Sequence, residues 1–415
     1  MAVTGDTIRN SRLTTLMALG LIANLAPIAT FAAVMPEITA AWGLSASEAG
    51  WISGIYFAGY AAAVPILASL TDRIDGRWVF AGSSLLGVGA SLAFAGYADG
   101  FWMAFVLRLL SGAALGGVHM PGLKLLADRT SGRARARGSA VYTASYSLGA
   151  AGSFFIAGAA DAAFGWRGAF AISGIAPIFA IWAVALLPAA REAMPAVAFS
   201  FDLRPLLRNR ALMAYVLAFA GNIWEVSAVR AWFVTYLAWT LGLPHNQLHV
   251  PDPAVISGLA SLVGFPVAII VAEFALRWGL RAIVITCLAS VVMLLALAAT
   301  AGGSSIVILP LLVMAQIASL ADASALASGA VATADPARRG TALALFAFTG
   351  YTAAFIGPVA VGIALDAFGG AGNSTGWIAA FATMALGSMA AAWAMRGART
   401  GPRRPLTAPI SDAAN

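Results

Sequence analysis

The uncharged run Leu13–Met35, LTTLMALGLIANLAPIATFAAVM, lies close to the start of the chain and is 23 residues long. A helix needs roughly 20 consecutive apolar residues to cross the hydrocarbon core of a bilayer. The run is longer than the apolar core of a signal peptide, and it lacks a small-x-small cleavage site followed by a soluble domain. We therefore interpret it as the first of several membrane-spanning helices, retained in the protein.

The whole chain shares this composition. Of its 415 residues, 61% are hydrophobic and only 10% are charged, and the mean hydropathy is +0.87. A soluble domain carries roughly 25% charged residues, so lipid must solvate most of this protein. The alternating segments of about 10 residues that mark a transmembrane barrel are not seen. The single cysteine, Cys287, lies in an apolar run, which excludes a disulfide framework.

Twelve apolar segments are predicted to span the membrane as helices. They cover residues 13–36, 48–71, 78–97, 101–126, 138–161, 168–188, 210–240, 254–277, 282–300, 304–331, 340–364 and 375–396. The longest polar interruption contains two prolines and divides the helices six and six. The predicted organisation is an N-terminal bundle (1–188), a cytoplasmic linker (189–209), a C-terminal bundle (210–396) and a cytoplasmic tail (397–415).

Basic residues are distributed unevenly between the two sides of the predicted membrane. With a cytoplasmic N-terminus, 21 of the 24 Lys and Arg residues fall in the tails and loops of that side. The opposite loops hold only Arg167, and Arg108 and Arg230 lie inside predicted helices. This is the positive-inside pattern. It predicts a multi-pass protein of the cell inner membrane with both termini cytoplasmic, and it accounts for the net charge of +7 without nucleic acid.

The two sets of six helices share short sequences at both ends of one helix. Arg137-Gly-Ser-Ala begins the fifth helix, and Arg339-Gly-Thr-Ala begins the eleventh, 202 residues later. Asp161-Ala-Ala-Phe-Gly-Trp ends the fifth helix, and Asp366-Ala-Phe-Gly-Gly ends the eleventh, 205 residues later. A weak parallel repeat of six helices is typical of transporters whose halves are related by an axis along the membrane normal. We therefore expect a cavity between two related halves.

A charged loop, Ala68-Ser-Leu-Thr-Asp72-Arg73-Ile-Asp75-Gly76-Arg77, follows the second predicted helix. It resembles the loop G-x-L-x-D-R-x-G-R-R of the major facilitator superfamily, with matches at Leu70, Asp72, Arg73 and Arg77 and departures at Ala68, Asp75 and Gly76. The resemblance implies an all-α fold of twelve transmembrane helices in two pseudo-symmetric six-helix bundles. It also implies a cytoplasmic latch of Asp72, Arg73 and Arg77, with the acid near the start of helix 11. The alternative is a charged turn that merely ends helix 2.

Two further motifs bear on the resemblance. Arg108-Leu-Leu-Ser-Gly112 in helix 4 resembles the superfamily motif R-x-x-x-G, whose arginine faces the central cavity. An arginine inside a span costs roughly 2.5–3.5 kcal/mol, so it should face protein or water; snorkelling to the interface is the alternative. Helix 5 lacks the proline of the antiporter motif G-x-x-x-G-P-x-x-x-G, and Ser153 follows Gly152 instead. This weakens a drug-antiporter interpretation.

Helix 7 carries a polar stripe near its middle. Asn222, Glu225 and Trp232 share one face, and Glu225 is the most central acid of the chain. A carboxyl group buried without a cation favours its protonated form, which is the chemistry that a proton-coupled carrier needs. Arg230 lies about 140° around the helix from Glu225. It either reaches the cavity or anchors the helix at the interface.

Other polar side chains complete the predicted site. His119, on the same face of helix 4 as Arg108, and Asp322, at the equivalent place in helix 10, are candidates for proton coupling. A hydrogen-bonded histidine in a helix interface is an equally good interpretation of His119. Tyr56, Tyr146 and Tyr351 are predicted to line the cavity with Asn222, Arg230 and Trp232, although tyrosines also lie at membrane interfaces.

The leading functional prediction is a monomeric, proton-coupled secondary transporter of a small solute, with two core arginines favouring an organic anion. The alternative is a proton-driven exporter of amphipathic compounds or metabolites. No GxxxxGK[ST] loop occurs, so ATP is not the expected energy source. Three histidines and one cysteine make a metal path improbable, and no cofactor is expected. A membrane sensor, scaffold or lipid-modifying enzyme is disfavoured because no nucleophile and base occur at helical spacing.

Overall fold

The computed structural model of the protein describes residues 2–187, 204–246, 248–335 and 338–397, and every regular element in them is a helix. The first half holds α1 (Ala2–Leu25), α2 (Thr30–Trp42), α3 (Ala46–Leu70), α4 (Gly76–Tyr97), α5 (Phe101–Asp128), α6 (Gly132–Ile175) and α7 (Pro177–Ala185). After the short α8 (Arg204–Arg208), the second half holds α9 (Arg210–Leu241), α10 (Pro253–Trp278), α11 (Leu280–Ala299), α12 (Ser305–Leu320), α13 (Ala323–Thr333), α14 (Arg339–Ala367) and α15 (Ser374–Gly397).

The predicted all-α membrane fold is confirmed. Eleven helical segments of the described chain are long and apolar enough to cross a membrane. One of them, Gly132–Ala185, has 54 residues, more than twice the length of a crossing. It turns back at Gly165, whose φ of 68° is a left-handed conformation that favours glycine. Counting this segment as two crossings gives the predicted twelve.

Two predicted continuous helices are broken in the structure. The first is interrupted at residues 26–29, between α1 and α2, where Pro27 has no N–H to donate to the helix. The tenth is interrupted at Ala321 and Asp322, between α12 and α13. Hydrophobicity alone gives no sign of either break, because both interrupted regions lie in apolar segments. A break in a helix at membrane depth is tolerated only where the freed backbone groups are buried in protein or line a water-filled cavity.

Side-chain caps define several helix starts. Ser45 and Glu48 form a capping box at the start of α3, in which each side chain accepts a hydrogen bond from the other residue's backbone N–H. Asp75, Asn209 and Asp252 accept N–H groups from the first turns of α4, α9 and α10. These caps accept hydrogen bonds from first-turn backbone N–H groups that have no acceptor within their own helix.

Helices within each half pack at short distances through small residues. A Cβ added at Gly112 of α5 would collide with the Tyr56 carbonyl oxygen of α3. In lipid, the hydrophobic effect does not drive helices to associate, because lipid tails are as apolar as the helix surfaces. Close packing of this kind and interhelical hydrogen bonds therefore hold a bundle together. The R-x-x-x-G glycine of the fourth crossing therefore acts in packing.

Among the described residues, the two halves meet closely at one end, which we call the closed end. There α3 crosses α14, with Gly50 against the Pro358 carbonyl, and α6 crosses α10, with Gly258 against Phe155. At the other end, the open end, α6 and α10 separate and leave a cleft. The open end contains the C-terminus of α3 and the start of α14, and the closed end contains the start of α3 and the C-terminus of α14.

The outside of the bundle is apolar and carries a belt of exposed aromatic side chains near each end. Tyr97 and Trp102 are 75% and 74% exposed at the closed end. Trp78, Trp278 and Trp393 are 69%, 60% and 76% exposed toward the open end. Exposed tryptophan and tyrosine at two levels are typical of the two interfaces of a membrane. The part of the protein between the two aromatic belts is therefore the part that lipid surrounds.

The predicted linker and tail fall largely outside the described residues. Of the linker, 189–209, the structure describes residues 204–209, which form α8 and the cap of α9. Residues 398–415 of the predicted tail also lie outside. Within the described chain, α6 begins at Gly132, six residues before the predicted fifth helix, because its polar first turn continues the helix beyond the apolar segment.

Candidate functional site

A cavity lies between the two halves, about midway between the ends. It has a volume of about 200 Å³ and receives side chains from both halves. Most of its wall is apolar or aromatic, and its charged lining residues are Arg108 and Arg230. Its lining also includes Ile28, Ala29, Phe57, Tyr146, Ser147 and Tyr351. We call this space the central chamber.

A second space of about 520 Å³ opens from the central chamber toward the open end, between α6 and α10. Five hydroxyl side chains line it: Ser139, Thr143, Ser147, Ser261 and Ser324. The two spaces share Ser147, Arg230, Leu320 and Ala323. We call the second space the vestibule. Arg230 therefore lies at the boundary between the chamber and the vestibule, and the vestibule lining has the larger share of polar groups.

The break between α1 and α2 forms part of the chamber wall. The Ser153 hydroxyl donates to the Ala26 carbonyl (2.6 Å) and accepts from the Ala29 N–H (2.9 Å). One side chain from α6 thus replaces two hydrogen bonds that the break removes. Discontinuous membrane helices of this kind commonly border transport sites, because irregular backbone is tolerated where it lines a cavity.

Arg108 holds the other polar groups of the break. Its two terminal nitrogens donate to the carbonyls of Pro27 and Ile28, each at 3.3 Å. Its guanidinium carbon lies 4.4 Å from the centre of the Tyr56 ring, a cation–π contact. Arg108 is only 3% exposed, so snorkelling is not observed. Tyr56 is fully buried behind it and lines neither the chamber nor the vestibule.

Arg230 has a different environment. Among the described residues its guanidinium makes no hydrogen bond or ion pair, and its Nε is buried without a partner. It points into the chamber, where Tyr146 is also exposed to the cavity. A cation without a protein partner in a largely apolar wall is available to bind an anion. The interfacial-anchor interpretation of Arg230 does not describe its position.

The contrast between the two arginines gives a stability prediction. Arg108→Met is expected to lower the free energy of unfolding by about 2–3 kcal/mol, because two buried carbonyls lose their donors. The matched variant Arg230→Met keeps the stem and removes only an unpartnered charge, so its melting temperature should not fall. Thermal unfolding of purified protein in one detergent measures both. An equal loss in the two variants would contradict the assignment of Arg108 as the structural clamp.

An aromatic cluster closes the chamber on the side of α3, α5 and α14. The Tyr60 and Tyr351 rings are stacked at a tilt with centres 4.0 Å apart. His119 lies outside the lining of both spaces, with its Nδ1 2.9 Å from the Tyr60 hydroxyl and its ring 4.9 Å from Tyr146. His119 thus lies in a helix interface and is hydrogen-bonded there, which is the alternative interpretation given for it from the sequence. Tyr146 and Tyr351 do line the chamber, as predicted.

Glu225 lies behind the chamber wall, inside the second half. It is fully buried and accepts hydrogen bonds from the hydroxyls of Ser290 on α11 and Ser388 on α15. Its neighbours on α9, Val226 and Ser227, line the chamber instead. The structure thus places the carboxyl group in the bundle core, outside the lining of the chamber, with no Lys, Arg or His bound to it among the described residues.

A second buried carboxyl group lies at the break between α12 and α13. Asp322 is 3% exposed and accepts from Asn222 Nδ2 at 2.5 Å and from Cys287 Sγ at 3.1 Å. Asn222 also donates to the Ser319 carbonyl at 2.8 Å, so it ties α9 to the broken helix. Asn222 was predicted to contact substrate, but its side chain belongs to this internal network and lines neither space.

Trp232 also lies outside the lining of both spaces. Its indole N–H donates to the Pro358 carbonyl of α14 at 3.1 Å, and its ring packs edge-on against Trp377 with centres 6.2 Å apart. The stripe of Asn222, Glu225 and Trp232 therefore exists as a shared face of α9. This face points into the second half and away from the cavity. Helical spacing in the sequence shows that the three residues share a face, but it does not show which way that face points.

The charged loop after α3 forms ion pairs within the first half. Asp72 pairs with Lys124 of α5, and Asp75 caps α4 while pairing with Arg77 at 2.8 Å and Arg129 at 3.2 Å. Arg73 is exposed. The described contacts do not include the start of α14, so the predicted latch is not engaged in this structure. In the second half, Glu273 and Arg277 form an ion pair at 3.3 Å.

Several polar residues of the site were not singled out by sequence reasoning. Ser153, Ser290 and Ser388 bind the helix break and Glu225, but serines are common at membrane-helix interfaces and carry no individual signal. Within the described residues, no three metal-ligating side chains come together. The usable signal was Pro27, which lies in the middle of an apolar run and marks the break.

The fold and its central cavity define a membrane transport protein. The chain belongs to the Major Facilitator Superfamily, whose sequence model matches residues 17–358. A 145-residue segment is 28% identical to the 4-hydroxybenzoate transporter PcaK of Pseudomonas putida, covering 35% of this chain and 32% of that protein. The match thus spans only about a third of that relative's length.

Solved structures share the fold at low sequence identity. A bacterial homolog of the human lysosomal transporter Spinster, in an inward-facing and unoccupied conformation, aligns with a TM-score of 0.80 and 16% identity over 95% of this chain and 99% of that one. The nucleoside transporter NupG aligns with a TM-score of 0.74 and 14% identity over 93% and 98%. At these identities the likeness shows the fold alone.

Proposed function

We propose that the protein is a proton-coupled secondary transporter that moves a small organic anion across the inner membrane by alternating access. The observation that carries the proposal is the unpartnered guanidinium of Arg230 in a largely apolar chamber between the two halves. An anion with an apolar body would pair with the Arg230 guanidinium and pack its apolar part against the chamber wall. The closed end and the vestibule correspond to one state of an alternating cycle.

The charge distribution supports an orientation. Arg73, Arg277, Arg339 and Arg396 lie toward the open end, while the loop residue Arg167 lies at the closed end. By the positive-inside rule the open end faces the cytoplasm. The structure then represents an inward-open state, and the vestibule is the route between the chamber and the cytoplasm.

The chamber favours a small and flat substrate. Its volume is about 200 Å³, and Phe57, Tyr146 and Tyr351 supply aromatic surface close to Arg230. The relative named as a 4-hydroxybenzoate transporter carries a small aromatic anion, which is a compound of this kind. We infer that an aromatic or similarly flat carboxylate binds with its charged group at Arg230 and its apolar body in the chamber.

Proton coupling is assigned to Glu225 and Asp322, with His119 as a further candidate. The two carboxyl groups are buried in the second half and bind only neutral donors among the described residues. Two uncompensated charges inside a lipid-embedded bundle are costly, which favours proton uptake by this pair. Both groups lie on helices that border the chamber, so proton binding can alter the chamber wall.

The latch of Asp72, Arg73 and Arg77 belongs to the opposite state of the cycle. With the open end closed, the Asp72 carboxylate would leave Lys124 and approach the start of α14. In the inward-open state, the pair with Lys124 keeps the acid inside the first half.

An exporter of amphipathic compounds or metabolites is the second candidate, because most of the chamber wall is apolar. The two functions are separated by uptake into proteoliposomes with an imposed proton gradient. A panel of aromatic carboxylates, neutral aromatic analogues and hydrophobic cations provides the substrates. Gradient-driven movement of carboxylates alone supports the anion transporter, and movement of the cations supports the exporter. No flux and no thermal stabilisation with any compound would contradict both.

A further inference from the structure

The α3–α14 crossing at the closed end contains a hydrogen-bonded contact between the two halves. Both oxygens of the Asp366 carboxylate, near the end of α14, accept backbone N–H groups from the first turn of α3. The Ala46 N–H donates to one oxygen at 3.0 Å, and the Ser47 N–H donates to the other at 2.7 Å. A negative charge at a helix N-terminus is stabilised by the helix dipole and by these donors.

The α3 capping box leaves these two donors for Asp366. The Ser45 hydroxyl accepts the N–H of Glu48, and the Ser45 carbonyl accepts that of Ala49 at 3.1 Å. The N–H groups of Ala46 and Ser47 have no acceptor within α3. The first turn of α3 is therefore fully satisfied by protein only when Asp366, from the other half, lies against it.

The internal repeat supplies an equivalent position at the α6–α10 crossing. Asp161 corresponds to Asp366, and it lies near the end of the fifth crossing as Asp366 lies near the end of the eleventh. One turn earlier, a Cβ added at Gly158 would meet Ala254 at 3.1 Å and Asp252 Oδ1 at 3.2 Å, at the start of α10. At the matching place on α14, a Cβ added at Gly362 would collide with the Ala46 carbonyl at the start of α3.

The start of α10 cannot receive Asp161 as α3 receives Asp366. Its first residue is Pro253, which has no N–H, and the N–H of Ala254 is taken by α10's own cap, Asp252, at 2.7 Å. Asp161 Oδ1 is buried and has no hydrogen-bond partner among the described residues. Glu37, on α2 of the same half, interacts with Asp161 through a side-chain hydrogen bond as well as by charge, while Asp252 at the start of α10 acts on Asp161 electrostatically from the other half. The nearby Arg167 donates to the carbonyls of Ala95 and Ala98 and is not bound to these acids.

We propose that Asp366 is the clamp that holds the closed end shut, and that its repeat counterpart Asp161 has lost this role and opposes closure. The α3–α14 crossing then gains a charged cap when the halves meet, while the α6–α10 crossing brings the Asp161 carboxylate close to that of Asp252. The closed end is held from the α3–α14 side, so opening starts at α6 and α10. This inference concerns the resting conformation and does not depend on the substrate.

The experiment measures distances across the closed end in substrate-free protein. Spin labels are placed at Ala40→Cys on the first half and Thr375→Cys on the second, both exposed near the closed end. The native Cys287 is 1% exposed and can remain. Double electron–electron resonance in lipid nanodiscs is expected to show one main short distance. Asp366→Asn should increase the long-distance fraction about 5-fold, as expected for losing a charged helix cap.

Two matched variants make the result specific. Asp161→Asn removes one carboxylate from the same end, and its long-distance fraction should stay the same or fall. Ala46→Pro deletes one donor at the helix position where proline is best tolerated, which copies the start of α10, and it should act in the same direction as Asp366→Asn. An unchanged distance distribution in both Asp366→Asn and Ala46→Pro would overturn the proposal. An equal increase in Asp161→Asn would also overturn it, since it would indicate a general effect of charge.

Discussion

Replacing Arg230 by glutamine is expected to weaken binding of the transported anion by at least about 30-fold. Truncating one partner of a buried charge pair typically costs 2–5 kcal/mol, and each 1.4 kcal/mol is a factor of ten. The effect should be large because Arg230 is the chamber's arginine without a protein partner. Isothermal titration with the best aromatic carboxylate of the panel measures the affinity directly.

Two comparisons separate charge recognition from a damaged fold. Arg230→Lys keeps the charge but not the two-pronged geometry of a guanidinium, so its affinity should be intermediate. Neutral analogues of the substrate should bind the wild type and Arg230→Gln with similar, low affinity. If Arg230→Gln binds the carboxylate as tightly as the wild type, the anion is held elsewhere, and the proposed binding mode is incorrect.

Replacing Glu225 by glutamine is expected to abolish accumulation driven by a proton gradient. Glutamine has nearly the same shape and can keep hydrogen bonds to Ser290 and Ser388, but it cannot gain or lose a proton. Exchange of labelled for unlabelled substrate at equal concentrations needs no net proton movement in a coupled carrier. It should therefore survive in Glu225→Gln proteoliposomes while gradient-driven uptake falls to the level of protein-free vesicles.

The control for this prediction is an acid outside the proposed pathway. Glu273→Gln changes a surface carboxylate that is 59% exposed and paired with Arg277, and it should leave driven uptake unchanged. Asp322→Asn tests the second buried acid in the same assay. Full driven uptake in Glu225→Gln would show that Glu225 is only a structural hydrogen-bond acceptor.

Much of the fold was predictable from the sequence because the bilayer imposes strong rules. Helix length, loop charge and the repeated Arg-Gly and Asp-Ala signals each follow from a general constraint on membrane helices. The predicted helices agree with the structure in number and, within several residues, in extent, except that the first begins at Ala2 and not at Leu13. The breaks after Leu25 and at Asp322 were not predicted, because their missing hydrogen bonds are replaced by residues distant in sequence.

The candidate site was only partly predictable. Arg108, Glu225 and Asp322, which were selected for their depth in the predicted helices, are all buried and hydrogen-bonded, and their functional roles stay predictions. Helical spacing could not determine whether a polar face points to the cavity or into its own bundle. Glu225 and Arg230 are five residues apart, yet one is bound inside the second half and the other faces the chamber. That distinction depends on how whole helices are rotated in the bundle.

The break in the first crossing has a consequence for biogenesis. The groups that satisfy it come from Arg108 and Ser153, which are 80 to 127 residues farther along the chain. A ribosome delivers the first crossing to the membrane well before it has made either side chain. Unpaired backbone groups are not tolerated in lipid, so the nascent segment is expected to insert as a straighter helix. The bend that shapes the substrate chamber would then be among the last features of the first half to form.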